Sequence, residues 1–225
     1  MTANKYGNLL TVLLVILIVA MLVGLSFLVY NVVRSRKNED RTIEAIIEFD
    51  KNVQENDDQE NLEQDQQNFI NTITPPSESP NSNSNTGKKK TYYEGYVMIG
   101  YITIPKTKVK LPILDSVSPD ALNTAVAVLY PSNPKLNEPG NVVIIGHNYR
   151  NGTFFSDNER LSIGDKVLIK DATGRELSYT IYQKFQTSEQ DTSFYTRDTN
   201  GIAEITLSTC TDDSKARIII LAKAD

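Results

Sequence analysis

The chain has one cysteine and one histidine in 225 residues, and these two scarcities bound what it can do. A single thiol forms no intramolecular disulfide, so Cys210 is either a small buried hydrophobe or a reactive group. A single imidazole makes His147 the one histidine able to trade protons near neutral pH. The acidic residues form no cluster that suggests a cation site, so no metal is assigned and no cofactor is called for. Basic excess is missing too: 23 Lys and Arg stand against 28 Asp and Glu, for a formal net charge of -5. That balance gives no sign of a nucleic-acid partner.

The two scarce residues stand in informative places. Cys210 ends the strand-like run IAEITLSTC, a six-residue polar link TDDSKA follows, and Arg217 opens a second strand-like run, RIIILAKA. Paired as an antiparallel hairpin, these runs bring Cys210 and Arg217 together at the hairpin's mouth. Arg217 is a permanent cation, able to support negative charge on sulfur and to donate hydrogen bonds to a developing oxyanion. His147 ends another apolar run, NVVIIGH, and supplies the proton acceptor that a cysteine nucleophile needs. Both His147 and Cys210 fall where a predicted strand meets a loop, the position from which side chains reach a cleft. Thr209 and Thr211 make the surround of Cys210 more polar than a core cysteine requires. No acidic residue can be assigned from sequence as an orienting partner for His147.

These residues carry a family resemblance. Thr206-Leu207-Ser208-Thr209-Cys210 followed by Arg217 resembles the TLxTC...R signature of sortases, the cell-wall cysteine transpeptidases of Gram-positive bacteria. Asn141 to His147 is similar to the family strand that ends in Gly-His, and Phe154, Leu161, Gly164 and Asp165 resemble its next stretch. The likeness spans roughly residues 96–224. It implies an eight-stranded β-barrel with His147, Cys210 and Arg217 as catalytic residues. It also implies surface-protein substrates bearing an LPxTG-like motif, cut between Thr and Gly and joined to an amine of peptidoglycan precursor or, in pilus-building relatives, of a pilin. In the family, much of the peptide groove lies in the loop corresponding to 183–201, so Phe194, Tyr195 and Ile202, with Thr209, are expected peptide contacts. The seven-residue step from Cys210 to Arg217 leans toward the class D-like group. The Gly146-His147-Asn148 run also resembles class B, but there is no room for that class's long helical insertion. Pilus-building members often carry a second membrane helix after the last strand, which makes the pilin-polymerising role the lesser expectation. A hydrolytic cysteine peptidase and a non-catalytic membrane-anchored binding domain remain alternatives.

The rest of the chain falls into three parts. Residues 1–37 read as a membrane anchor with flanks, because Leu9 to Tyr30 carries no charge and as a helix would span roughly 33 Å, enough for a bilayer core. The run is longer than the apolar core of a cleaved signal peptide. Charge bias alone, with Lys5 before the span and Arg34, Arg36 and Lys37 after it, places the main domain in the cytoplasm. The family resemblance places it outside the cell, and that is the expectation adopted. Residues 38–90 read as a spacer. Eleven Asp and Glu face Arg41 and Lys51 between Asn38 and Ile73, with a weak helical period, and a Pro-, Ser- and Asn-rich linker follows. Residues 91–225 form the catalytic domain. Strands are predicted over 96–104, 109–114, 141–146, 166–170 and 176–187, besides the final hairpin. One short helix is predicted over 119–128, with Ser118 as its N-cap. Seven or eight strands with little helix suit one closed or partly closed barrel.

Overall fold

The computed structural model describes residues 3–73 and 89–225. The chain divides into two compact units, one ending at Glu44 and one of Ala45–Asp225. The first is wholly helical where described and belongs to α1 (Ala3–Ile73). Its apolar run is solvent-exposed from Leu9 to Val33, and it is long and apolar enough to cross a membrane.

The second unit is a closed barrel. Its strands are β1 (Thr91–Tyr93), β2 (Tyr96–Ile104), β3 (Val109–Leu114), β4 (Val126–Tyr130), β5 (Gly140–Ile145), β6 (Lys166–Asp171), β7 (Glu176–Thr187), β8 (Ala203–Cys210) and β9 (Arg217–Ala224), and α2 (Pro119–Leu122) precedes β4. The hydrogen-bonded order β2-β3-β4-β5-β8-β9-β7-β6 returns to β2 through the β2–β6 pairing, which makes eight staves; β1 is a flap on β2. Closure leaves no free edge among these eight strands. Two neighbours run parallel, β3 with β4 and β5 with β8. Strand alternation separates the two faces. Val142 and Ile144, Ile205 and Leu207, and Ile218 and Ile220 fill the interior. Val143, Ile219 and Leu221 point outward into a second cluster beneath Phe194.

The expected helix over 119–128 is only four residues long. Ser118 caps it as predicted, its hydroxyl accepting from the Ala121 N–H at 3.0 Å. The helix ends at Leu122, and Val126–Tyr130 is a strand that the sequence reading missed. Its Val-Ala-Val-Leu-Tyr run is β-prone, and its parallel pairing with β3 supplies the tertiary partner that overrides a helical period.

The spacer also behaves differently from a solvated tether. Ala45, Ile46, Phe49 and Val53 on α1 pack against Tyr93, Met98, Tyr101 and Leu114 as a buried cluster. The spacing from Ile46 through Phe49 to Val53 is one helix face. Asp50 pairs with Lys170 at 2.8 Å, and Asn52 donates to Thr91 at 2.8 Å. Further along, the Asn56 side chain holds the Lys89 backbone, and the Lys89 amine pairs with Glu55 at 3.2 Å. The predicted linker over 74–88 lies outside the described residues. Phe49 is 2% exposed and meets Tyr101 edge-on at 6.0 Å. Phe49→Ala is therefore expected to cost about 3–5 kcal/mol, read as a lowered unfolding temperature of the full chain in detergent. An unchanged temperature would mean the helix face contributes nothing to the barrel's stability.

Candidate active site

The site is built by strand register on the outer face of the barrel. In the antiparallel pair β8–β9, Cys210 stands opposite Arg217. The Thr211 N–H donates to the Ala216 carbonyl at 2.9 Å, which makes the next pair inward, Cys210 with Arg217, the non-hydrogen-bonded kind whose side chains approach more closely. The Arg217 Nη1 accordingly donates to Cys210 Sγ at 2.9 Å. Cys210 is a free, half-buried thiol, unlike an inert core cysteine.

Histidine arrives from the other neighbour of β8. The parallel register runs from Asn141 with Glu204 to Ile145 with Ser208, and the Gly146 N–H extends the ladder by donating to the Ser208 carbonyl at 3.2 Å. His147 follows directly, close enough to Arg217 for that charge to act on its imidazole. Gly146 is required for the passage. A Cβ there would lie 2.9 Å from both Phe155 Cδ2 and Val126 Cγ1. Thr209 fastens the same junction, donating its hydroxyl to the Gly146 carbonyl at 2.8 Å.

Tyr149 packs on the imidazole, ring centres 4.9 Å apart, and is itself held by a 2.9 Å bond to Asn123. Among the described residues no side chain hydrogen-bonds the His147 ring. Burial first, and the Arg217 charge second, hold the imidazole below its ordinary value, so it is neutral at pH 7 and able to accept a proton. The sign for stability follows. As pH falls below about 6.5 toward the lowered midpoint, the unfolded chain takes up a proton that the folded chain refuses, and stability falls with it. With only one histidine in the chain, its NMR titration is unambiguous. Arg217→Gln is expected to raise the midpoint while burial keeps it below about 6.5. An unmoved midpoint would separate the two side chains electrostatically.

The expected peptide contacts divide. Thr209 is 1% exposed with its hydroxyl committed to Gly146, which leaves a ligand nothing to touch. Ile202 is exposed but lies eight residues along the strand from Cys210, roughly 26 Å at about 3.3 Å per residue. Phe194 is buried over Val143, Ile219 and Leu221. Tyr195 is placed differently. Its ring meets Tyr130 at 5.7 Å, and burial pushes its hydroxyl up while the Arg217 charge pulls it back. It also lines a groove of about 400 Å³ with Tyr130, Pro131, Gly140, Asn141 and Arg197.

Sequence reading missed the group that fixes this loop. Arg197 donates to Glu204 at 2.6 and 2.9 Å, to Thr206 at 2.7 Å and to the Phe194 carbonyl at 3.0 Å. Asn141 donates to the Phe194 and Tyr195 carbonyls at 3.1 and 3.0 Å. The signal was there: Glu204 and Thr206 are polar at alternate positions of an apolar strand, which calls for buried partners.

A family model for the Sortase domain matches residues 102–225. Solved structures similar to the chain include a sortase D5 transpeptidase from Clostridium perfringens (29% identity, TM-score 0.51, covering 57% of this chain and 79% of that one). A sortase C-1 from Actinomyces oris is similar at 25% identity and TM-score 0.51, with coverage of 56% and 73%. A pilus-related sortase C of Group B Streptococcus is similar at 26% identity and TM-score 0.52, with coverage of 57% and 67%. No curated protein sequence matches the chain significantly.

Proposed function

The chain belongs to the sortase family, and from that premise we propose that it is a membrane-tethered cysteine transpeptidase. Its substrate is a surface protein with an LPxTG-like motif, cut between Thr and Gly and joined to an amine of peptidoglycan precursor. The observation that carries the reading is the 2.9 Å bond from Arg217 to the half-buried Cys210 thiol, with neutral His147 close enough to feel the same Arg217 charge. Residues 1–37 are the anchor, 38–90 the connection and 91–225 the catalytic domain, on the extracellular side of the cell membrane.

In this mechanism His147 takes the thiol proton as Cys210 Sγ attacks the threonyl carbonyl carbon. Arg217 stabilises the tetrahedral oxyanion. Nη1 is engaged with the sulfur, and Nε and Nη2 remain as donors. The Thr211 N–H, a backbone donor beside Cys210, is already committed to Ala216. Collapse breaks the C–N bond, His147 protonates the departing glycyl amine, and a thioester remains on Cys210. The acceptor amine attacks the thioester, gives its proton to His147 and restores the thiol. Tyr195, close enough to Arg217 for that charge to act on its hydroxyl, supports a peptide contact beside the site.

The test is incubation of the full chain in detergent with LPxTG-like and variant peptides, with and without a small amine, reading products by mass. An amine-joined product is expected. Cleavage without joining at any amine concentration would favour a hydrolytic peptidase, and no product with an unlabelled Cys210 would favour a binding domain.

A further inference from the structure

We infer that Asn148 is a positioning residue for the transpeptidation step, tying the histidine-bearing strand end to the backbone of the nucleophile. The inference rests on the proposed function and deepens it. Beyond the Gly146 bonds to Ser208 and Thr209 the link between β5 and β8 stops, just short of the two groups whose separation matters most. Asn148 takes over there. Its Nδ2 donates to the Cys210 carbonyl at 3.0 Å and to Asp212 Oδ1 at 2.8 Å, and its Oδ1 accepts from the Arg150 N–H at 3.0 Å. The residue directly after the imidazole is thus cross-linked both to the nucleophile's own peptide unit and to the turn that leads to Arg217. Arg150 adds a second link, donating to Ser214 at 2.9 Å.

An amide is the side chain suited to this task. One nitrogen with two hydrogens satisfies two acceptors that belong to different chain segments, while the oxygen of the same group accepts from its own loop. Alanine makes none of these bonds. Aspartate cannot donate, and it sets a carboxylate against both the Cys210 carbonyl and Asp212. Proton transfer between sulfur and imidazole is steep in distance, and a displacement near 1 Å costs on the order of 100-fold in rate. Asn148 touches no substrate in this scheme. It acts through where it holds Cys210 and His147.

Four variants separate this role from a structural one: Asn148→Ala, Asn148→Asp, Asp212→Asn and the double exchange Asn148→Asp with Asp212→Asn. The exchange keeps the net charge and a hydrogen bond between positions 148 and 212 but removes the donor to the Cys210 carbonyl. Each is assayed as the full chain in detergent for joining of an LPxTG-like peptide to a small amine. Each is also assayed for the pH profile of alkylation by iodoacetamide, which reports Cys210 alone because the chain has no other thiol. Both Asn148 single variants and the double exchange are expected to lose about tenfold or more in kcat, with KM within about twofold and a displaced alkylation profile. Asp212→Asn is expected to stay near wild type. Recovery of kcat in the double exchange, or wild-type kcat and profile in Asn148→Ala, would overturn the inference. If the wild type joins no peptide while the variants still shift the alkylation profile, the functional reading fails and the positioning role stands. If the wild type joins peptide and the variants match it in both assays, only the positioning role fails.

Discussion

Cys210→Ala is expected to abolish peptide joining, a loss of at least about 10⁴-fold that leaves only background product. The proposed reaction passes through a covalent thioester, and no other side chain in the chain is a thiol. Removing the nucleophile therefore removes the pathway rather than slowing it. The fold should survive, because position 210 ends β8 with a half-buried side chain and neighbouring Thr209 and Thr211 hold the strand end through Gly146 and Ala216. The measurement pairs product formation with the thermal unfolding temperature of the full chain in detergent. Product at a tenth of the wild-type rate in the alanine variant would rule out Cys210 as the attacking group.

Arg217→Ala is expected to lower kcat by about 10² to 10³-fold, the usual cost of deleting one oxyanion donor. Its guanidinium spends Nη1 on Cys210 Sγ at 2.9 Å and keeps further donors in a rigid fork, so one side chain can face both the sulfur and the carbonyl oxygen. Arg217→Lys should recover little of the loss, since an ammonium offers its donors from a single atom. The deficit should fall on kcat rather than KM if the group acts mainly on the transition state. A rise in KM alone, with kcat intact, would make Arg217 a peptide-holding residue only.

How much of this was legible in sequence differs from residue to residue. The Cys210–Arg217 pairing was readable because two strand runs flank a short polar link, and hairpin geometry then fixes who faces whom. The place of His147 beside them was not readable in the same way. It depends on a parallel register between β5 and β8, strands separated by β6 and β7 in sequence, and no local pattern encodes such a pairing. Thr209 and Ile202 illustrate two failures of proximity in sequence: Thr209 adjoins the nucleophile but points inward by strand alternation, and Ile202 faces solvent at the wrong end of the strand. The helix face at Ile46, Phe49 and Val53 was blurred by exposed Ile43 and Ile47 on the other side of the same turns. The Arg197–Glu204 bond lies between a loop and a strand, so sequence offered Glu204 as an anomaly without naming its partner.

The proposed chemistry stands or falls on the acyl-enzyme. Intact-mass measurement of the full chain, taken shortly after mixing with an LPxTG-like peptide, should show a species heavier by the fragment ending in Thr and attached at Cys210. That species should disappear when an amine is added, as joined product appears in equal amount. A chain whose mass never changes while peptide is cleaved or joined would contradict covalent catalysis through Cys210.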